Sequence, residues 1–127
     1  MTIAESSSYS ISDVAAQTGL TTHTLRYYER EGLMHAPVER ATSTHRRYSE
    51  RDITWVTFLT RLRSTGMPIR EVKRYASLAR SGDSTNADRL ELLIAHRETV
   101  LAQLAEVQSS LAAIDYKINH YTELVTE

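Results

Sequence analysis

From about Asn86 to Leu124 the chain contains neither glycine nor proline. Counting heptads from Leu90, the a positions are Leu90, Arg97, Leu104, Leu111, Ile118 and Val125, and the d positions are Leu93, Val100, Val107, Ile114 and Tyr121. Ten of these eleven residues are apolar or aromatic. That is the pattern of a coiled-coil seam rather than of a generic surface helix. At about 1.5 Å per residue such a helix reaches about 58 Å. A small preceding domain cannot cover a stripe of that length, so a second copy of the chain is the economical partner. Ile94 and Leu101 widen the stripe early on, which suggests extra contacts there.

The rest of the 127 residues is enough for one small domain. A domain of that size buries only about 60% of its unfolded surface, and dimerisation would help to stabilise it. The formal net charge of −1 averages two unlike halves. Residues 1–80 carry 12 Lys/Arg against 8 Asp/Glu, a balance of +4, whereas residues 81–127 carry 3 against 8, a balance of −5. Such asymmetry suggests a part that faces nucleic acid joined to a part that faces something else. Arginine outnumbers lysine 13 to 2. A GC-rich genome accounts for that, although guanidinium also suits phosphate. With no cysteine, the chain has no disulfide, thiolate nucleophile, Cys-ligated zinc or iron–sulfur cluster. No N-terminal targeting pattern or long apolar run is present, so the expectation is a soluble, cytoplasmic protein without membrane contact.

Residues 1–8 are Ser-rich and aperiodic and read as a disordered tail. Ser12 is a candidate cap for a short helix running to Thr18, with Gly19 in the left-handed position that ends it. Thr21 can cap a second helix from Thr22 to Glu31, closed by Gly32. Two short helices about a tight turn form a helix-turn-helix. On the second helix, Leu25 and Tyr28 can pack on Val14, Ala15 and Leu20. His23, Arg26, Tyr27 and Arg30 fall on one continuous opposite stripe. Its plain alternative is an ordinary solvated face, but the preceding turn favours a helix held outward for the major groove.

Residues 35–48 lack helical period and fit a β-ribbon with a loose tip, ending in His45, Arg46, Arg47 and Tyr48. Such a basic ribbon either grips a phosphate backbone as a wing or is simply solvated. Ser49 and Asp52 have capping-box spacing ahead of a third helix running to about Thr65. Ile53, Val56, Leu59 and Leu62 form its apolar set, broadened by Trp55 and Phe58. Gly66 stops this helix and Pro68 starts a fourth, which places Ile69, Val72, Tyr75, Ala76 and Ala79 on one side. Ser81–Gly82–Asp83–Ser84–Thr85 reads as a linker by composition. The domain expectation is therefore a tail over 1–8, a DNA-binding domain over 9–80, a linker over 81–86 and a dimerisation helix over 87–127.

Together these segments resemble the MerR family of bacterial transcription regulators. The resemblance is carried by Thr24–Leu25–Arg26–Tyr27–Tyr28–Glu29 with Gly32–Leu33, by Arg46–Arg47–Tyr48–Ser49 with Asp52–Ile53, and by Gly66–Met67, in that order. It implies a mainly α chain: a winged helix-turn-helix DNA-binding domain followed by a long dimerisation helix in an antiparallel coiled coil. Dimerisation would fall to Leu90, Leu93, Val100, Leu104, Val107, Leu111, Ile114, Ile118 and Tyr121. By position, His23, Arg26 and Tyr27 would lie on the recognition helix, Arg46 and Tyr48 on the first wing, and Arg63 near the turn forming a second wing. Thr22 or His23, near the helix N-terminus, is the better placed to reach a base edge. Arg26, Arg46 and Arg63 would neutralise phosphates, which sets register more than sequence. The resemblance further implies a homodimer on double-stranded promoter DNA. It would act on RNA polymerase indirectly, by bending and untwisting an over-long spacer.

Two departures qualify that picture. Thr44 stands in the ribbon where many members have glycine, and the cysteines through which many members sense are missing. No appended effector domain is expected after the coil, and no cofactor. The five histidines, His23, His35, His45, His96 and His120, form no local chelating pair, so no metal site is expected. No catalytic constellation is visible, and the chain reads as a non-enzyme. An architectural or excisionase-like DNA-bending protein without effector control is the alternative function. Trp55, Phe58 and Tyr75 are candidates for an apolar pocket taking an unknown small-molecule effector, with plain core packing as the other reading.

Overall fold

The computed structural model describes residues 8–40 and 46–126. The elements run β1 (Ser8–Tyr9), α1 (Ile11–Thr18), α2 (Thr22–Arg30), β2 (Glu39–Arg40), β3 (Arg46–Ser49), α3 (Glu50–Ser64), α4 (Ile69–Arg80), a single 3₁₀ turn (Asp83–Thr85) and α5 (Asn86–Val125). The chain divides into two compact units, with the boundary between Leu90 and Glu91. Among the described residues no helix is long and apolar enough to cross a membrane.

The first unit packs its helices around a small core, against a three-stranded antiparallel sheet of order β1-β3-β2. Val14, Leu25, Leu33, Tyr48, Val56, Leu59, Met67 and Val72 are almost fully removed from solvent. They come from α1, α2, β3, α3 and α4 and from the turns after α2 and α3, which is how short helices share one core. Ser8 pairs with Ser49 and Tyr9 with Tyr48. The expected tail therefore does not extend to Ser8, because Arg47 donates from Nε to Ser8 Oγ at 2.9 Å and from Nη2 to its carbonyl at 3.1 Å. On the other side, Glu39 pairs with Arg47 and Arg40 with Arg46, giving the ribbon. Thr44 and His45 lie outside the described residues.

The first three helices start at side-chain caps, whereas α4 starts at Pro68 without one. Ser10, not Ser12, caps α1, in a capping box with Asp13. The sequence carries two serines two apart, and only Ser10 has an acid at the required third position. Ser49 and Asp52 form the expected box at α3. The connection over 81–85 is tied down rather than loose. The Thr85 hydroxyl donates to the Leu78 carbonyl at 2.6 Å, and Arg89 Nη2 donates to the Gly82 carbonyl at 3.1 Å. Composition alone does not reveal these bonds.

The second unit is built on α5 from Glu91 onward, and the 40 residues of α5 give about 60 Å of helix. Its seam is open in the single chain. Leu104 is 51% exposed, Leu111 54%, Ile114 56% and Ile118 55%. Val107 and Tyr121 are exposed as well, as is Leu90 at the end of the first unit, whereas Leu93 and Val100 are half-buried.

Candidate nucleic-acid interface

The interface is built on α1, the Gly19 turn and α2. Gly19 takes φ +78°, a left-handed geometry that turns the chain sharply at little cost only for glycine. Its N–H bonds back to the Ala15 carbonyl at 2.9 Å. The Thr18 hydroxyl donates to the Val14 carbonyl and accepts from the Leu20 N–H, which stiffens the turn. Thr21 then caps α2 by accepting from the Thr24 N–H at 3.0 Å. Burial of Leu25 and Tyr28 fixes the rotation of α2 about its own axis.

That rotation decides what faces outward. His23, Arg26 and Arg30 are exposed, and Tyr27 and Thr22 are half-buried. The Thr22 hydroxyl accepts from Arg26 Nη1 at 3.5 Å, a long bond that steers the guanidinium along the helix. Arg30 lies over the Tyr27 ring at 5.7 Å and is also 3.8 Å from the Glu31 carboxylate. Arg26 thus carries the freer charge of the two, and Arg30 helps to hold Tyr27. The expected stripe is present on one face.

The wing residues divide. Arg46 lies on β3, its backbone paired with Arg40 beside the 41–45 connection. Tyr48, expected on the wing surface, is instead 1% exposed and part of the core. Its ring occupies the space between the sheet and the helices, so it anchors the wing rather than touching a phosphate. Arg47, expected with Arg46 in the basic ribbon, is instead committed to Ser8. Arg63 remains exposed and donates from Nη1 to the Met67 carbonyl at 2.7 Å, bracing the turn between α3 and α4. Burial of Met67 plugs that turn.

Trp55, Phe58 and Tyr75 are gathered as expected from their spacing. Trp55 and Tyr75 stack with ring centroids 5.4 Å apart and planes 8° from parallel, and Phe58 meets Tyr75 at 5.8 Å. Burial raises the Tyr75 phenol above its usual range, and nearby Arg89 opposes this. The Trp55 indole N–H donates to the Leu33 carbonyl at 2.8 Å, just beyond α2. Trp55 and Phe58 line a groove of about 660 Å³, whereas Tyr75 backs Trp55 without lining it.

Sequence reasoning misses the cross-links that hold α2 in place. Arg80 Nη1 donates to the carbonyls of Gly32 at 2.7 Å and Met34 at 2.8 Å, and Lys73 pairs with Glu31 at 3.1 Å. His35 bonds the buried Asp52 at 2.9 Å. These contacts join residues far apart in sequence and obey no period, so no local signal announces them.

Residues 9–78 match the family profile described as MerR HTH family regulatory protein, and residues 53–116 match the one described as MerR, DNA binding. The chain belongs to the MerR family. An uncharacterized HTH-type transcriptional regulator of Haemophilus influenzae is 34% identical over 89% of this chain and 83% of its own length. Among solved structures, HiNmlR, a MerR family regulator lacking the sensor domain and bound to promoter DNA, superposes with a TM-score of 0.82. It is 33% identical, with 91% of each chain covered. A MerR family transcriptional regulator from Bacillus thuringiensis gives a TM-score of 0.77 at 31% identity, covering 87% of this chain and 96% of that one. These relatives are described as transcriptional regulators, and α1, α2 and the ribbon of this chain form a winged helix-turn-helix.

Proposed function

We propose that this MerR-family chain acts in the bacterial cytoplasm as a homodimer on double-stranded promoter DNA, binding rather than catalysing. In this reading α2 enters the major groove, with Thr22 and His23 nearest the base edges. Arg26, Arg46 and Arg63 neutralise phosphates, and Tyr27 packs against the backbone. The α5 seam joins two copies. Distortion of a long promoter spacer then governs RNA polymerase, which is reached through the DNA alone. The observation that carries the reading is the outward stripe of His23, Arg26, Tyr27 and Arg30 on a helix whose other face is buried.

Magnitudes support a phosphate-led grip. Three arginines per protomer make six contacts per dimer, a salt slope of about −5. Spacer deformation costs about 1–6 kcal/mol on elastic estimates, which that number of contacts offsets. The test is a gel shift on the native operator at physiological salt. Arg26→Ala and Tyr27→Ala should each weaken binding at least tenfold while sedimentation still reports the same oligomer, a loss of one to two charge-assisted bonds per half-site. Wild-type affinity in both variants would refute the assignment.

A further inference from the structure

The groove beside Trp55 has a composition that hydrophobic packing does not require. Its apolar lining is Trp55 and Phe58, and three arginines also line it: Arg51, Arg80 and Arg89, the last already donating to Thr85 Oγ1, the Gly82 carbonyl and Asn86 Oδ1. Glu50 is the single carboxylate among the lining residues, and it already accepts a 2.6 Å hydrogen bond from the Tyr9 hydroxyl. All of these groups belong to the first compact unit. We propose that this groove binds a small planar aromatic anion, such as an aromatic carboxylate, with the ring against Trp55 and Phe58 and the anionic group among the lining arginines.

Three observations lead there. First, Trp55 is held in place before any ligand arrives: its indole N–H is bonded to the Leu33 carbonyl and its ring is stacked on Tyr75. A fixed aromatic plate costs a flat ligand little ordering entropy. Second, Arg51 sits in the first turn of α3, where the helix dipole disfavours positive charge. It is exposed and makes no hydrogen bond or ion pair among the described residues. Third, Arg80 uses Nη1 for the Gly32 and Met34 carbonyls, which leaves the Nε and Nη2 donors of its guanidinium for an acceptor. Aromatic faces alone would attract cations. Three arginines around one engaged carboxylate reverse that preference, because unpaired charges in a partly desolvated groove outweigh a ring quadrupole. At about 660 Å³ the space is of the size of ordinary small-ligand sites.

The chain's single tryptophan gives a local reporter. The full chain, labelled with ¹⁵N, is titrated with naphthoate, naphthylmethanol and naphthylmethylammonium, and the Trp55 indole N–H signal is followed. Naphthoate should shift this signal saturably and bind about tenfold more tightly than the alcohol, the value of one charge-assisted hydrogen bond. The ammonium should bind most weakly. Arg51→Gln should weaken naphthoate about tenfold with an unchanged melting temperature, and Arg51→Glu should shift the preference toward the ammonium. Phe58→Ala should weaken all three probes. No saturable shift, equal binding of acid and alcohol, or indifference to the Arg51 substitutions would each overturn the proposal. DNA is absent from the experiment, so its outcome is independent of the promoter-binding assignment.

Discussion

Asp52 serves two neighbours at once. One carboxylate oxygen accepts the Ser49 N–H at 2.9 Å and closes the capping box of α3, while the other meets His35 at 2.9 Å. The residue is 6% exposed, so neither bond is readily replaced by water. Asp52→Ala should therefore cost about 2–3 kcal/mol of unfolding free energy, combining a lost cap with a stranded imidazole. Asp52→Asn should cost less, because it keeps one acceptor oxygen and the volume. Urea unfolding of the two variants separates these outcomes, and equal values would show that the carboxylate itself is what both bonds require. Half of this arrangement is legible in the sequence. The spacing of Ser49 and Asp52 announces the cap, whereas His35 lies 17 positions away and no rule of spacing connects it. Tyr48 shows the converse: its basic neighbours suggest a surface, and alternation on a two-sided ribbon sends it to the core.

At the scale of elements, α4 acts as a brace for the exit of α2. Arg80 grips two carbonyls beyond α2, and Lys73 pairs with Glu31 at its C-terminal cap. Arg80→Met retains the apolar stem but leaves both carbonyls to solvent. Because the site is partly exposed, water recovers much of the loss, and the expected cost is about 1 kcal/mol. Its local signature is sharper: amide hydrogen exchange over residues 31–34 should accelerate while exchange in the middle of α3 does not. Uniform acceleration would mean that the whole domain has been weakened instead. The helices themselves are readable from period and caps, since both are local properties. Their mutual bracing is not, because it depends on which carbonyls the folded chain leaves within reach of a long side chain. The ordered 81–85 connection belongs to the same class, with Thr85 and Arg89 closing a segment that composition marks only as turn-forming.

For the whole molecule, the proposed dimer rests on the open α5 seam. Leu104→Asp combined with Leu111→Asp would place four carboxylates in the seam of a dimer. Each buried unpaired charge costs several kcal/mol, so the variant should sediment as a monomer and bind the operator poorly. An unaltered dimer would exclude α5 as the pairing surface. The seam is the most legible feature of the chain, since its heptad repeat needs no knowledge of other elements. The first unit has the opposite character. The Tyr9 hydroxyl reaches the Glu50 carboxylate across 41 positions, and closing a loop of that length costs about 3 kcal/mol before any contact repays it. The turn joining α1 and α2, by contrast, needs only neighbours in sequence. A chain made from its N-terminus can therefore form this pair of helices early, yet the platform that presents α2 is complete only after α3 has emerged. This pair of helices can therefore exist during synthesis before it has anything to stand on.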